Sequence, residues 1–117
     1  MRPLANHIHA AILRAITDTV RLANRDEPML IVEHVHSSDW ASATFVGASH
    51  QLHLRLEGPL AVVALAMQLL VDDLPEREIV IAGHIVAEIA AIGGAEHNIL
   101  PDMVSKQLTV NALTIVD

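Results

Sequence analysis

Leu60 to Val71 is apolar around its whole circumference, with Gln68 as the one polar interruption. A helix without a polar face has to be covered on more than one side. That requirement constrains a chain of 117 residues more than any other feature in it. The run is far shorter than the roughly 18 to 20 residues that cross a bilayer, so it reads as a core helix and no membrane partner is expected. One chain of this length builds one core, and residues 1–117 are read as a single domain. The second cover for the helix is then another subunit, in a homodimer or higher homo-oligomer formed through this helix or a sheet face.

A second helix is drawn by Ile8, Ile12, Ile16 and Val20, four residues apart between Pro3 and Asn24. Pro3 suits the first turn, and Asn24 to Pro28 supply the stop. Between the helices, Met29 to His36 is β-branched and nearly alternating, Ser37-Ser38-Asp39 offers turn chemistry, and Trp40 to Val46 follows. Gly47-Ala48-Ser49 breaks the pattern again before His50 to Glu57, where Leu52, Leu54 and Leu56 alternate with polar residues. Turns this short join antiparallel strands, because parallel neighbours need crossovers of about a dozen residues.

After the apolar helix, which opens at Gly58-Pro59 and ends at Asp72-Asp73, Glu78 to Ile92 reads as a long strand with a bulge at Gly83. Asp72, Asp73, Glu76 and Glu78 form a solvated acidic helix exit. Gly93 to Lys106 reads as a functional loop, and Gln107 to Asp117 as a closing strand whose apolar phase changes at a bulge near Asn111 and Ala112. The expected fold is α+β: a two-layer sandwich with an antiparallel sheet of about five strands, two helices packed on one face, and the order α-β-β-β-α-β-β.

In a small acidic chain, this order resembles the secretion-chaperone fold of bacterial type III export, although the closing helix of that family is missing after Leu113-Thr114-Ile115-Val116-Asp117. The resemblance implies a chaperone-like module that takes a protein partner.

Hydrophobic residues make up 52% of the chain and aromatic ones only 2%, so the core must be aliphatic. The formal charge is −7 and the seven basic residues are scattered. Clustered cations drive binding to nucleic acid and to anionic lipid, so neither partner is expected. Without cysteine there is no disulfide, thiolate nucleophile or zinc knuckle. The amino terminus lacks a signal-peptide pattern, and a cytoplasmic address is expected.

Eight histidines are the oddest feature of the composition. His34 and His36 are two apart on a strand and share a face at roughly 6.5 to 7 Å, a spacing at which two imidazoles grip one divalent metal. A third ligand would come from Asp39, His84 or Glu88. With three strands in the first meander, His53 falls two strands from His34, about 9.5 Å away. The pair His84 and Glu88 is about 13 Å apart along one strand, too far for an acid/base couple in contact.

Nucleophile elbows, phosphate loops, dinucleotide fingerprints and HExxH are absent from the sequence. The expectation is therefore a non-catalytic, homo-oligomeric binding or interaction module for a protein or small-molecule ligand, with no cofactor. The competing reading is a small metal-binding protein or metal-dependent enzyme that uses His34 and His36.

Overall fold

The computed structural model describes residues 3–22 and 26–117. The four-residue spacing of Ile8, Ile12, Ile16 and Val20 puts all four on one side of α1 (Pro3–Arg21), and all four are buried. Thr19 is fully buried beside them because its hydroxyl donates to the Ala15 carbonyl at 2.7 Å. The expected stop at Asn24 and Arg25 lies outside the described residues.

The chain then runs through β1 (Met29–Ala41), β2 (Val46–Pro59), α2 (Leu60–Asp72), a short 3-10 turn (Leu74–Glu76), β3 (His84–Leu100) and β4 (Met103–Val116). The four strands form one sheet in the order β1-β2-β4-β3, antiparallel at every step. The α+β class holds, with four strands in place of five.

The Leu52, Leu54 and Leu56 side of β2 is buried, as is the matching side of β4, Val104, Leu108, Val110 and Ala112. These residues join α1 and the Val63, Ala66 and Leu70 side of α2 in one cluster. Each large aliphatic side chain removed from water there contributes roughly 1.5 to 3 kcal/mol.

The missing strand has a local cause. Ser37-Ser38-Asp39 does not turn; β1 runs through it, paired residue by residue with His50, Ser49 and Ala48 of β2. Turn propensity is a weak local preference, and a continuous ladder of backbone hydrogen bonds outweighs it. The reversal falls at Ser42–Phe45, where the Ser42 amide donates to the Phe45 carbonyl at 2.8 Å and the Ser42 hydroxyl accepts from the Phe45 amide at 3.1 Å. Gly47-Ala48-Ser49 is strand, not a break. At Gly47 a Cβ would collide with the Thr114 carbonyl oxygen, so glycine lets β2 and β4 approach there.

With two strands between the helices, the element order is α-β-β-α-β-β. The likeness to the secretion-chaperone order, which rested on three, falls with the third strand.

The second half of the chain differs in the same direction. Most of the expected loop, Gly93 to Lys106, is strand: β3 continues to Leu100, turns at Pro101-Asp102, and β4 begins at Met103. At the other end β3 starts at His84, and Gly83, with φ of 76°, is a turn residue and not a bulge. The bulges sit on β3, at Val86/Glu88, Gly93/Glu96 and Asn98/Leu100, whereas β4 pairs with β2 without a shift from Met103 to Ile115. The expected bulge at Asn111 and Ala112 is therefore absent. Ala112 and Thr114 keep the buried phase of Leu108 and Val110, while Leu113 and Ile115 point to the other side.

Candidate functional site

A bulge decides what the histidines of β1 face. Leu30 and Val32 lie opposite Leu56 and Leu54, and after the shift between Val32 and His34 it is Val35 that lies opposite Leu52. One extra residue, Glu33, thus keeps Leu30, Val32 and Val35 on the core side and sends His34 and His36 to the other. That outer face carries His53 as well, directly across from His34. The expectation that His53 lies two strands away is overturned, because β1 and β2 are immediate neighbours.

The rings of His34 and His36 stack with centroids 6.4 Å apart and planes at 13°, and His34 and His53 lie 5.8 Å apart at 33°. Near-parallel stacked rings direct their in-plane lone pairs side by side. A shared metal needs those lone pairs to converge.

The three third-ligand candidates are not brought to the pair. Asp39 lies on the opposite side of β1, opposite Ala48, and His84 and Glu88 are on β3, with β2 and β4 between. Among the described residues no group of three His, Cys, Asp or Glu side chains is placed to hold a metal ion. Arg55 continues the outer face, with Nη1 donating to Glu57 at 2.8 Å and Nε 3.2 Å from Glu33.

On the core side, four polar side chains from four elements form a chain that the sequence analysis did not single out. His9 of α1 places Nε2 2.7 Å from the Ser37 hydroxyl of β1 and 3.2 Å from Nδ1 of His50 on β2. Ser37 Oγ lies 2.7 Å from the same Nδ1, and His50 Nε2 lies 2.8 Å from the Thr114 hydroxyl of β4. The two rings meet edge to face at 5.2 Å.

His50 is 3% exposed. Burial, then the neighbouring His9 and His84, push its pKa down to about 4. Burial also lowers that of His9. The signal for this cluster was the in-phase position of His50 with Leu52, Leu54 and Leu56, which marks it as a core-side residue.

A serine beside a histidine invites comparison with a nucleophile and its base. The base must take a proton near neutral pH and be oriented by a third group. His50 has lost most of its basicity, and its far nitrogen meets a hydroxyl where a triad has a carboxylate. What the arrangement does chemically is clamp α1 to the sheet through neutral hydrogen bonds.

Two surface features remain. An open cavity of about 480 Å³ lies on the outer face, lined by His36, Trp40, Gln51, Asn111 and Glu88 among others. A second, of about 480 Å³, lies between α2 and the β3–β4 hairpin, bounded by Ala64, Met67, Val71, Glu96 and Lys106. Val71 of that lining is exposed, as are Leu60 and Leu65 elsewhere on α2, whereas Ile92, also exposed, pairs with Thr109 on the outer face of the sheet. Among the described residues no helix is long and apolar enough to cross a membrane.

No protein-family model matches the chain, and no curated protein matches it in sequence. In three dimensions it is similar to a chain of the solved structure described as "Virion of native gene transfer agent (GTA) particle", with a TM-score of 0.63 and 14% identity over 98% of this chain and 99% of that one. At that identity the likeness shows a common fold over the aligned residues and nothing finer.

Proposed function

We propose that this chain is a non-catalytic structural or assembly subunit that works as a homo-oligomer in a virion-like particle. The observation that carries the reading is the end-to-end match to a virion chain. Fold alone does not transmit function, but the surface of this chain supports the same reading independently.

The accessible area is 7000 Å², where a compact monomer of 12.6 kDa exposes about 6200 Å². The elongated body, 52 by 24 by 22 Å, exposes more surface than a compact one of the same mass. The exposed apolar residues of α2, Leu60, Leu65 and Val71, are where that surface is least compatible with water.

Light scattering coupled to gel filtration tests the reading. A homo-oligomer is expected at micromolar concentration, and Leu65→Asp together with Val71→Asp is expected to give monomers with unchanged circular dichroism. A native chain that stays monomeric to 100 μM refutes the assembly reading.

A further inference from the structure

We propose that the His9–Ser37–His50–Thr114 chain is an acid-sensitive clamp, which holds α1 on the sheet at neutral pH and loosens it when the cluster takes up a proton. The clamp is legible as a proton count. With both rings neutral, one assignment of hydrogens gives every link a single proton. His9 Nε2–H donates to Ser37 Oγ, and Ser37 O–H donates to the bare Nδ1 of His50. His50 Nε2–H then donates to Thr114 Oγ1, whose own proton reaches the Ala48 carbonyl at 3.4 Å. The relay runs in one direction from α1 into the sheet, and each member is satisfied.

A proton on His50 Nδ1 reverses this order: Nδ1–H now donates to Ser37 Oγ, and the relay closes again only if His9 shifts to its other tautomer and accepts the Ser37 proton on Nε2. With His9 still protonated on Nε2, two donors face each other at 3.2 Å. A second proton on His9 leaves both rings with only donors and sets two like charges side by side, ring centroids 5.2 Å apart with N–H groups facing at 3.2 Å. The new charge is also poorly received by its surroundings. Burial and the neighbouring imidazoles of His9 from α1 and His84 from β3 disfavour it; Ser37 from β1 and Thr114 from β4 are neutral, and the one carboxylate on the same side of β1, Asp39, is two residues further along. The side chains that α2 and the 3-10 turn bury are apolar: Val63, Ala66 and Leu70, and Leu74. Of the four clamp residues only His9 belongs to a helix, so α1 is the element that can leave while the strand ladders persist.

The test is site-resolved amide hydrogen exchange from pH 7 to pH 4, corrected for intrinsic rates. The gap between the ordinary value of 6.5 and about 4 sets the ceiling, a rise of about 300-fold in the opening constant of α1 amides. Amides of β2 and β4 are expected to change less. His50→Gln, which keeps a donor and an acceptor but no titrating group, is expected to flatten the α1 response.

Equal acceleration in α1, β2 and β4 overturns the proposal, since that is global acid unfolding. So does an α1 response that survives in His50→Gln. Should that variant not fold, the imidazole resonances of the native chain decide: titration of His50 near 6.5 refutes the clamp, and titration well below it supports the clamp.

Discussion

His50 stays neutral in the folded chain because a charge at 3% exposure, facing His9 and His84, would lose its hydration for nothing in return. The unfolded chain has no such penalty and takes a proton at about 6.5. Between the folded value of about 4 and that unfolded value, the unfolded state binds more protons, so stability rises with pH there. The contribution is complete above pH 6.5 and is lost as pH falls toward 4, amounting to on the order of 3 kcal/mol from this one residue. Urea unfolding of the native chain is therefore expected to show a midpoint that drops between pH 6.5 and pH 4. In His50→Gln the drop is expected to be smaller, and an equal drop in both would remove His50 as its cause.

Elements in this chain are separated by what they bury. Ile12 and Ile16 are fully buried, whereas Leu60, Leu65 and Val71 on the far side of α2 are open to water. Truncating the first kind leaves a cavity as well as losing transfer energy, so Ile12→Ala is expected to cost about 2 to 5 kcal/mol. Leu65→Ala is expected to stay within about 0.5 kcal/mol in the monomer, and thermal melts of the two variants check the contrast. The strands follow the same logic with different geometry. β2 and β4 are central, regular and alternately buried, while the edge strands β1 and β3 carry all the bulges. Bulged edges resist edge-to-edge pairing with a second chain.

At the scale of the whole molecule, a radius of gyration of 14.8 Å exceeds the roughly 13.4 Å of a compact chain of this length. The body is 52 Å long and 24 by 22 Å across, stretched by strands of 13 to 17 residues. One cluster of buried residues nevertheless links both helices and the three strands β2, β3 and β4. A single core predicts a single cooperative transition. Calorimetry above pH 6.5 is expected to show one peak, its midpoint rising with protein concentration if oligomers form. Two resolved peaks would mean that the hairpin half melts separately.

The two helices were legible in the sequence because a period of 3.6 is local: Ile8, Ile12, Ile16 and Val20 must share a side of any helix they form, and Leu60 to Val71 has no wet side to offer. The alternation of Leu52, Leu54 and Leu56 was legible for the same reason. Strand ends and partners were not, because they depend on what lies across the ladder. Ser37-Ser38-Asp39 reads as a turn in isolation and is extended only because β2 is there to pair with it. The glycines at 93 and 94 read as a loop, and stay in a strand because β4 accommodates them at a bulge. The polar clamp depends on the same long-range pairing. His9, Ser37, His50 and Thr114 are spread over more than a hundred residues of sequence, and only the register of β1, β2 and β4 beneath α1 brings them into one hydrogen-bonded line.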